Sequence, residues 1–213
     1  MARRALRKLD STIDLAHSLR TFEGLPDPWQ AESLFGRSAP LEVEVGTGKG
    51  LFLSSAAAGC PAHDFLGIEV AQKYARHAAS RLAKRELGNA CVVHGDALRV
   101  FRERFPDAAL TAVHVYFPDP WWKARHKKRR VMNAGFLADI ERTLAPGGRL
   151  HFWTDVEEYF RTTLELIREA TRLQGPFDVP ERSAEHDLDY HTHFERRTRL
   201  SGEAVFRAQF LRA

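Results

Sequence analysis

The sequence predicts an α/β protein built on a doubly wound, mostly parallel sheet of the Rossmann-like kind. Five short segments rich in β-branched and aromatic residues alternate with segments whose apolar residues recur every three to four positions. That alternation is typical of parallel strands joined by helices that cover both faces of the sheet. The 213 residues, 44% of them hydrophobic and 28% charged, suit one globular domain of ordinary size.

The predicted strands begin after residue 40 and are separated by helical segments. Asn133 stands directly before one helical stretch and is expected to be its N-cap, and the Ala-Pro-Gly-Gly stretch at 145–148 should end that helix. Residues 204–211 are expected to add a closing strand. The five main strands are predicted at 41–45, 65–70, 90–94, 112–117 and 149–153.

The composition of the chain changes near residue 40. Residues 1–40 carry several arginines and lysines, are interrupted by prolines and show no strong hydrophobic period, so we expect a basic N-terminal arm there. Whether that arm is ordered in the free protein stays open. Residues 41–213 are expected to form the domain that carries the chemistry.

The charged residues and the cysteines indicate which partners and which redox compartment suit the protein. The net charge of +4 is modest, but residues 123–130 hold six basic side chains, and a second basic group lies at 196–199. Such clusters attract polyanions. Only Cys60 and Cys91 are present, without metal-like spacing, which favours free thiols in a reducing compartment such as the cytoplasm. No apolar run is long enough to suggest a membrane partner.

Glycines at every second position follow the first predicted strand. Gly46, Gly48 and Gly50 lack Cβ atoms, so the backbone can turn tightly and a ligand can approach it. Their spacing differs from the G-x-G-x-x-G of dinucleotide sites, which disfavours a nicotinamide oxidoreductase. Glu44 precedes them, and its carboxylate would repel a pyrophosphate. A cationic ligand is the better match.

Acidic residues also end the second and third predicted strands. Glu69 follows Gly48 by about 20 residues, and a carboxylate there can accept hydrogen bonds from both hydroxyls of a ribose. Asp96 and the backbone N–H of Ala97 can read the N6 amine and N1 of adenine. Together with Glu44 they describe a site for a positively charged nucleoside. The expected cofactor is S-adenosylmethionine, a sulfonium, and no metal is expected.

The fourth predicted strand leads into residues suited to a nucleic-acid substrate. Asp119 lies between two prolines, which fix the backbone and hold its side chain at the cofactor end of the sheet. Trp121 and Trp122 follow, and although a base can stack on them, ordinary packing explains them equally well. The basic run at 123–130 can then meet phosphates.

Three carboxylates are candidates for binding guanine itself. Guanine presents N1–H and the N2 amino group as adjacent donors on one edge, and a carboxylate can accept both. Asp119 follows the fourth predicted strand, Asp155 follows the fifth, and Glu195 lies near the C-terminus. The residues alone leave the choice among them open.

At this point the chain resembles the bacterial tRNA (guanine-N7-)-methyltransferases over about residues 41–199. The Phe-Pro-Asp-Pro-Trp stretch followed by basic residues is the most specific part of the resemblance. The matching motifs, in order, are Glu-x-Gly-x-Gly-x-Gly at 44–50, Gly-Ile-Glu at 67–69, Asp96, Phe-Pro-Asp-Pro-Trp at 117–121, the basic run, Thr-Asp at 154–155 and Thr-x-Phe-Glu at 192–195.

The resemblance implies a class I S-adenosylmethionine-dependent methyltransferase fold and methyl transfer to N7 of a guanine in tRNA, the variable-loop guanosine. It implies that Asp119 is central to catalysis. It implies cofactor contacts from Glu44, Gly46, Gly48, Glu69, Asp96, Ala97 and Asp119. It implies that the guanosine is held by Lys123, Asp155, Thr192, His193, Phe194 and Glu195.

Some positions depart from the pattern of that family. His193, Thr198 and Val156 differ from the usual residues, and Trp122 replaces a small or polar residue, so detailed substrate contacts stay open. Two alternatives also stay open: methylation of another RNA base, and a catalytically silent RNA-binding protein of the same fold. Beyond tRNA no obligatory partner is inferred, and the protein is expected to be a monomer or a homodimer.

A group of histidines near the C-terminus invites comparison with a metal site. His186, His191 and His193 lie near Asp187 and Asp189, but their spacing fits no defined helix or strand. We therefore expect solvated loop residues at these positions.

Overall fold

The computed structural model describes residues 9–10, 12–181, 186 and 190–213. The basic residues before Leu9, at the start of the predicted arm, lie outside this part of the chain, as do Asp187 and Asp189. The described residues form one sheet of eight strands with helices on both faces, which confirms the predicted fold class. No helix among them is both long and apolar enough to cross a membrane.

The strands and helices alternate along most of the chain. The strands are β1 (Leu19–Thr21), β2 (Leu41–Val45), β3 (Asp64–Glu69), β4 (Ala90–His94), β5 (Leu110–Tyr116), β6 (Leu144–Thr154), β7 (Gln174–Asp178) and β8 (Phe206–Leu211). The helices are α1 (Glu32–Phe35), α2 (Leu51–Gly59), α3 (Gln72–Lys84), α4 (Ala97–Glu103), α5 (Ala134–Thr143), α6 (Glu157–Ala170) and α7 (His193–Leu200). A 3₁₀ helix spans Ala124–Arg129.

The order of the strands defines where a ligand can bind. The sheet runs β1-β4-β3-β2-β5-β6-β8-β7, and its first six strands are parallel, whereas β8 is antiparallel to β6 and β7 to β8. From β2 the chain adds β3 and β4 on one side, and β5 and β6 follow on the other. The crevice beyond the carboxyl ends of β2 and β5 is therefore the topological switch point, where ligands bind in open α/β sheets.

Helices bury both faces of the sheet. On one face, α2 and α3 pack through Leu53 and Leu82 against Val92. On the other, α4 and α5 pack through Phe101 and Phe136, and α6 covers β6 beside them. Because the central strands are covered on both sides, the loops at their carboxyl ends are anchored to a tightly packed core.

Most strands lie where the sequence predicts them. The predicted segments 41–45 and 90–94 coincide with β2 and β4, and two others differ by one or two residues. Strand β6 starts earlier than predicted, since Leu110 pairs with Leu144 and Ala112 with Arg149, which leaves residues 145–148 as a bulge in β6. The predicted N-cap is confirmed, because the Asn133 side chain accepts a hydrogen bond of 3.1 Å from the Phe136 N–H.

Two edge strands were not predicted. Strand β1, within the predicted arm, pairs with β4, and the nearby Phe22 is buried between the guanidinium groups of Arg99 and Arg104. Strand β7 pairs with β8 at the opposite edge of the sheet. The segment predicted as an arm thus contains β1 and also α1. A three-residue strand is too short to produce a detectable alternation.

Gly67 of β3 holds the glycine loop and α2 against the sheet. A Cβ atom at this position would meet the Thr47 hydroxyl and approach the Leu53 Cδ2 atom to 2.7 Å. We expect Gly67→Ala to lower the free energy of unfolding by about 1–3 kcal/mol, because overpacked sites must shift. Thermal unfolding measures this cost. Gly59→Ala is the control, since no heavy atom lies within 4 Å of its Cβ position. An unchanged melting temperature for Gly67→Ala would contradict the close packing of Gly67 against Thr47 and Leu53.

Candidate active site

The glycine loop after β2 has the backbone geometry that the sequence predicts. Gly46, Gly48 and Gly50 have φ angles of 78°, 55° and 68°, a region that residues with a Cβ atom rarely adopt. The N–H groups of Gly46 and Thr47 both donate to the Ile68 carbonyl, at 2.8 and 3.1 Å. The loop is therefore fastened to the carboxyl end of β3 and leads directly into α2.

Glu69 links that loop to the end of β3. Its Oε2 atom accepts a hydrogen bond of 2.8 Å from the Gly48 N–H, and its Oε1 atom accepts one of the same length from the Ala71 N–H. Both bonds orient the carboxylate and leave one lone pair on each oxygen. Glu69 can thus still accept hydrogen bonds from two hydroxyl groups of a ligand, as the sequence predicts.

Glu44 is the most unusual ionisable group of the site. Its side chain is buried, and its Oε2 atom accepts a hydrogen bond of 2.5 Å from the Thr47 hydroxyl. Burial, with a smaller contribution from the nearby charge of Glu69, raises the pKa of Glu44 to about 8 against the opposing effect of the Thr47 hydrogen bond. Among the described residues, no cationic side chain lowers the pKa of Glu44. A positively charged ligand would act as a cationic partner and lower this pKa.

A cavity of about 250 Å³ opens beside Glu44. It lies at the switch point between β2 and β5, and α7 forms its far wall. It brings Glu44, Gly46, Gly48, Thr192, His193 and Phe194 of the predicted site together, along with Thr47, Lys49, Leu51, Phe52, Tyr74, Tyr116, Phe117 and Arg197.

Asp96 and Ala97 lie next to this cavity without lining it. Asp96 caps α4, since its Oδ1 atom accepts a hydrogen bond of 2.9 Å from the Leu98 N–H. The end of β4 is joined to that of β3 by a 3.1 Å hydrogen bond from the Gly95 N–H to the Glu69 carbonyl. Asp96 is therefore one strand removed from Glu69, at the same edge of the sheet.

Asp119 lies on the loop after β5, at the opposite side of the switch point. The loop begins with a 2.8 Å hydrogen bond from the Phe117 N–H to the Trp153 carbonyl. Phe117 and Trp121 have φ angles of 50° and 45°, which are strained for aromatic residues. Two such conformations around Asp119 give the loop a defined path and leave the carboxylate exposed.

The basic run of 123–130 divides into structural and exposed residues. The Arg130 guanidinium is only 10% exposed, donates to the Pro120 carbonyl and Glu158 at 2.8 Å each, and lies over the Tyr159 ring. It fastens the loop to α6 and is not available to a phosphate. The basic side chains exposed to solvent are Lys123, Arg125, Lys128 and Arg129.

The Thr-x-Phe-Glu motif begins α7 in the manner of a capping box. The Thr192 hydroxyl accepts a 2.9 Å hydrogen bond from the Glu195 N–H, and the Glu195 carboxylate accepts one of 2.7 Å from the His191 N–H. Glu195 is also paired with Arg199 and Arg207, and its side chain is 2% exposed. The motif therefore presents Thr192 to the cavity but turns Glu195 away from it.

Asp155 remains a candidate for binding the substrate. It follows β6 and is half-buried. Burial raises its pKa, and the charge of Glu203 adds to this, whereas a backbone hydrogen bond and Arg197 act in the opposite direction. Because Arg197 lines the cavity beside Glu44, Asp155 lies near the substrate side of the site. Lys123 is exposed at the start of the basic run, and its predicted role stays a prediction.

Tyr116 and Phe52 are site residues that the sequence reasoning missed. Both line the cavity and also a second cavity of about 550 Å³ behind it. The Tyr116 hydroxyl lies 3.0 Å from His114 Nδ1, and His114 Nε2 lies 2.7 Å from Glu42. Strand alternation could have found this group, since β2 and β5 pair with Glu44 in register with His114.

His63 completes this buried chain of polar groups. Its Nδ1 atom lies 2.6 Å from the second oxygen of Glu42. Burial opposes ionisation of Glu42, but the hydrogen bonds from His114 and His63 outweigh it and lower the pKa of the carboxyl group. Burial lowers the pKa of His114, so a neutral His114 donates to Glu42 and accepts from Tyr116. The chain fixes the orientation of the Tyr116 ring in the cavity wall.

The histidines and acids near the C-terminus do not form a metal site among the described residues. Among them, no group of three or more His, Cys, Asp or Glu side chains could hold a metal ion. His191 instead stacks on Phe52 and accompanies Glu195.

The raised pKa of Glu44 has a consequence for stability. Its folded pKa of about 8 lies above its ordinary value of 4.5, so the folded protein binds more protons than the unfolded chain between those pH values. Stability from this group is therefore lost as the pH rises from 4.5 to 8. We expect Glu44→Gln to melt at a higher temperature than the wild type at pH 8.5 and at a similar one at pH 4.5.

Glu42→Gln is the matched control, two positions away on the same strand. The pKa of Glu42 is lowered by its histidine partners, so this substitution should destabilise the protein at neutral pH. A lower melting temperature for Glu44→Gln than for the wild type at pH 8.5 would show that Glu44 has a partner in the ligand-free protein.

Comparisons with known proteins agree with this geometry. Residues 38–208 match a family model described as a putative methyltransferase. The tRNA (guanine-N(7)-)-methyltransferase of Rhodopirellula baltica is 51% identical over 97% of this chain and 79% of its own length. The enzyme of the same name from Aromatoleum aromaticum is 40% identical over 87% of this chain and 71% of its own length.

Solved structures of lower identity share the fold. The aminoglycoside resistance methyltransferase NpmB1 superimposes with a TM-score of 0.59 at 21% identity, covering 87% of this chain and 95% of its own. A SAM-dependent methyltransferase from Aquifex aeolicus gives 0.57 at 15% identity, covering 88% and 90%. Together with the relatives of high identity and the family model, they lead to one assignment: the chain belongs to the tRNA (guanine-N(7)-)-methyltransferase family.

Proposed function

We propose that this protein transfers a methyl group from S-adenosylmethionine to N7 of a guanine in tRNA, and that the acceptor is the variable-loop guanosine. The observation that carries the proposal is the buried Glu44 carboxyl group under the glycine loop, beside a cavity at the switch point. The loop after β5 adds exposed cations. The names of its relatives support the choice of tRNA and of guanine N7. The free cysteines are consistent with work in the reducing cytoplasm.

The residues present fit S-adenosylmethionine. The cofactor, when bound, supplies an activated methyl group on a sulfonium. Glu44, with Gly46 and Gly48 beside it, provides a buried carboxyl group whose pKa no cation among the described residues lowers, so a cationic ligand would favour its ionised form. Glu69 keeps free lone pairs for the ribose hydroxyls, and Asp96 with Ala97 stands one strand further along for the adenine. Asp119, on the loop after β5, does not line the cavity beside Glu44, and its contact with the cofactor stays a prediction.

The chain contributes alignment and charge rather than a general base. Guanine N7 offers an in-plane lone pair and carries no proton, so no residue needs to remove one. Positive charge develops on the base during transfer, and a nearby carboxylate stabilises it. Asp119 is exposed on a loop with a defined path, and Asp155 lies near Arg197, so both are placed to act through their charge.

The remaining predicted site residues are suited to binding the RNA substrate. Thr192, His193 and Phe194 reach the cavity from the start of α7, where a flipped-out base would be held. Phe194 packs on Phe117 with ring centroids 5.0 Å apart. Lys123 begins the exposed part of the basic run on the loop after β5. Because Glu195 forms ion pairs with Arg199 and Arg207, we propose that Asp155 or Asp119 binds the N1–H and N2 amino edge of the guanine.

The direct test is to incubate the protein with unmodified tRNA and labelled S-adenosylmethionine and to identify the modified nucleoside. We expect 7-methylguanosine, and its loss from transcripts whose variable-loop guanosine is replaced by adenosine. Label in another nucleoside would support methylation of another RNA base instead. Binding of tRNA without any cofactor binding would support the catalytically silent alternative.

Binding of the cofactor should depend on pH through Glu44. Below pH 8 the ligand-free carboxyl group is largely protonated, so pairing it with a cation releases a proton. We expect S-adenosylmethionine to bind about 20-fold more weakly at pH 6.5 than at pH 8.5. Calorimetry in two buffers of different ionisation enthalpy measures the released proton directly. Glu44→Gln should release none, and equal proton release from both proteins would contradict the pairing.

Asp119→Asn tests the catalytic role of the carboxylate charge. We expect kcat to fall roughly 100-fold, because the charge that stabilises the transition state is removed, while the Kd for S-adenosylmethionine changes much less. Asp107→Asn is the control, since Asp107 is exposed and paired with Arg142 away from the site. Equal losses in kcat and in cofactor binding would contradict a role in the transition state.

A further inference from the structure

Two neighbouring tryptophans on the loop after β5 have different surroundings. The Trp121 ring packs edge-on against His126, with ring centroids 5.8 Å apart, and Arg129 lies 5.1 Å from its centroid. Trp121 is half-buried, whereas Trp122 is 68% exposed and makes no ring contact with the described residues. Among the described residues, packing accounts for the position of the Trp121 ring but not for that of the Trp122 ring.

The exposure of Trp122 belongs to a loop that is fastened at both ends. The Phe117 N–H bonds to β6, and Arg130 bonds to the Pro120 carbonyl and to Glu158 of α6. The left-handed backbone at Trp121 turns the chain between the two indole rings. A ring on such a loop is held ready for a contact, so little conformational entropy is lost when the contact forms.

The charges around Trp122 indicate what that contact is. Lys123 follows it directly and is exposed, as are Arg125, Lys128 and Arg129 of the 3₁₀ helix. An exposed aromatic ring among cations is the combination that binds single-stranded nucleic acid, because bases stack on the ring while the cations meet the phosphates. A protein partner would require an extensive apolar patch, and the side chains beside Trp122 are basic instead.

We propose that Trp122 is a stacking platform for an unpaired nucleobase of the RNA, distinct from the base that is methylated. The proposal rests on the proposed function only in taking RNA as the substrate. The indole ring of Trp122 contacts the face of the base, and Lys123 and Arg125 meet the phosphates on either side. This contact contributes to affinity and to the choice of RNA, not to the chemical step.

Fluorescence anisotropy with labelled, unmodified tRNA tests the platform without requiring turnover. We expect Trp122→Ala to raise the Kd for tRNA about tenfold, and Trp122→Phe to restore most of the affinity, since base stacking on an aromatic ring is worth about that factor. Trp122→Leu should not restore it, because a leucine has no aromatic face. Leu200→Ala is the control, because Leu200 is similarly exposed on α7 without aromatic character.

The dependence on salt separates stacking from charge. Trp122→Ala should lower the affinity by the same factor at low and high salt, because stacking releases no counterions, whereas Arg125→Ala should reduce the slope of log K against log salt by about 1. In steady-state methylation, Trp122→Ala should raise KM for tRNA and leave kcat within about twofold of the wild type.

Each outcome has a distinct meaning. An unchanged Kd for Trp122→Ala, or equal affinity for the leucine and phenylalanine variants, overturns the platform and leaves Trp122 for contact with a protein. A fall in kcat without a change in Kd also overturns it. If the wild type binds tRNA but methylates no guanine, the proposed function fails while the binding comparison still decides the role of Trp122.

Discussion

The site depends on one electrostatic constraint, a carboxylate buried without a cation. Glu44 lies at the end of a central strand, and only the Thr47 hydroxyl and a backbone hydrogen bond from Leu53 offset its burial among the described residues. The loop that covers it follows a path open only to glycine, and Gly67 leaves the space that Thr47 occupies. The arrangement costs the free protein stability as the pH rises from 4.5 to 8, and a cationic ligand would remove that cost. A site of this kind selects a sulfonium nucleoside over an anionic one.

The two sides of the switch point have separate roles. The ends of β2, β3 and β4 carry Glu44, Glu69 and Asp96. Among the described residues, these carboxyl groups accept hydrogen bonds from backbone N–H groups and from one hydroxyl. The loop after β5 carries Asp119 and the exposed cations, and it is fastened to β6 and α6. The carboxyl groups therefore follow the ends of neighbouring strands, and the exposed cations belong to the loop after β5. N7 methylation suits such a site because it needs alignment and charge but no proton transfer.

The sequence predicts the strand ends well because the glycine loop and the carboxylates beside it depend on local backbone geometry. It predicts poorly what depends on distant contacts. Glu195 reads as a free acid in the sequence, yet Arg207, which comes from β8, pairs with it. Arg130 reads as one of six equivalent cations, yet Glu158 and Tyr159 of α6 enclose it. Tyr116 was missed because its role depends on the register of β5 with β2. Strand β1 was missed because three residues carry no period.

The most direct test of this account is the pKa of the Glu44 carboxyl group, measured by NMR with carbon-13-labelled glutamate. The resonance can be assigned by its absence in Glu44→Gln. We predict a value of about 8 in the ligand-free protein and a much lower value once S-adenosylmethionine is bound. An ordinary value near 4.5 in the ligand-free protein would contradict the central claim, since the carboxylate would then already have its charge compensated within the chain.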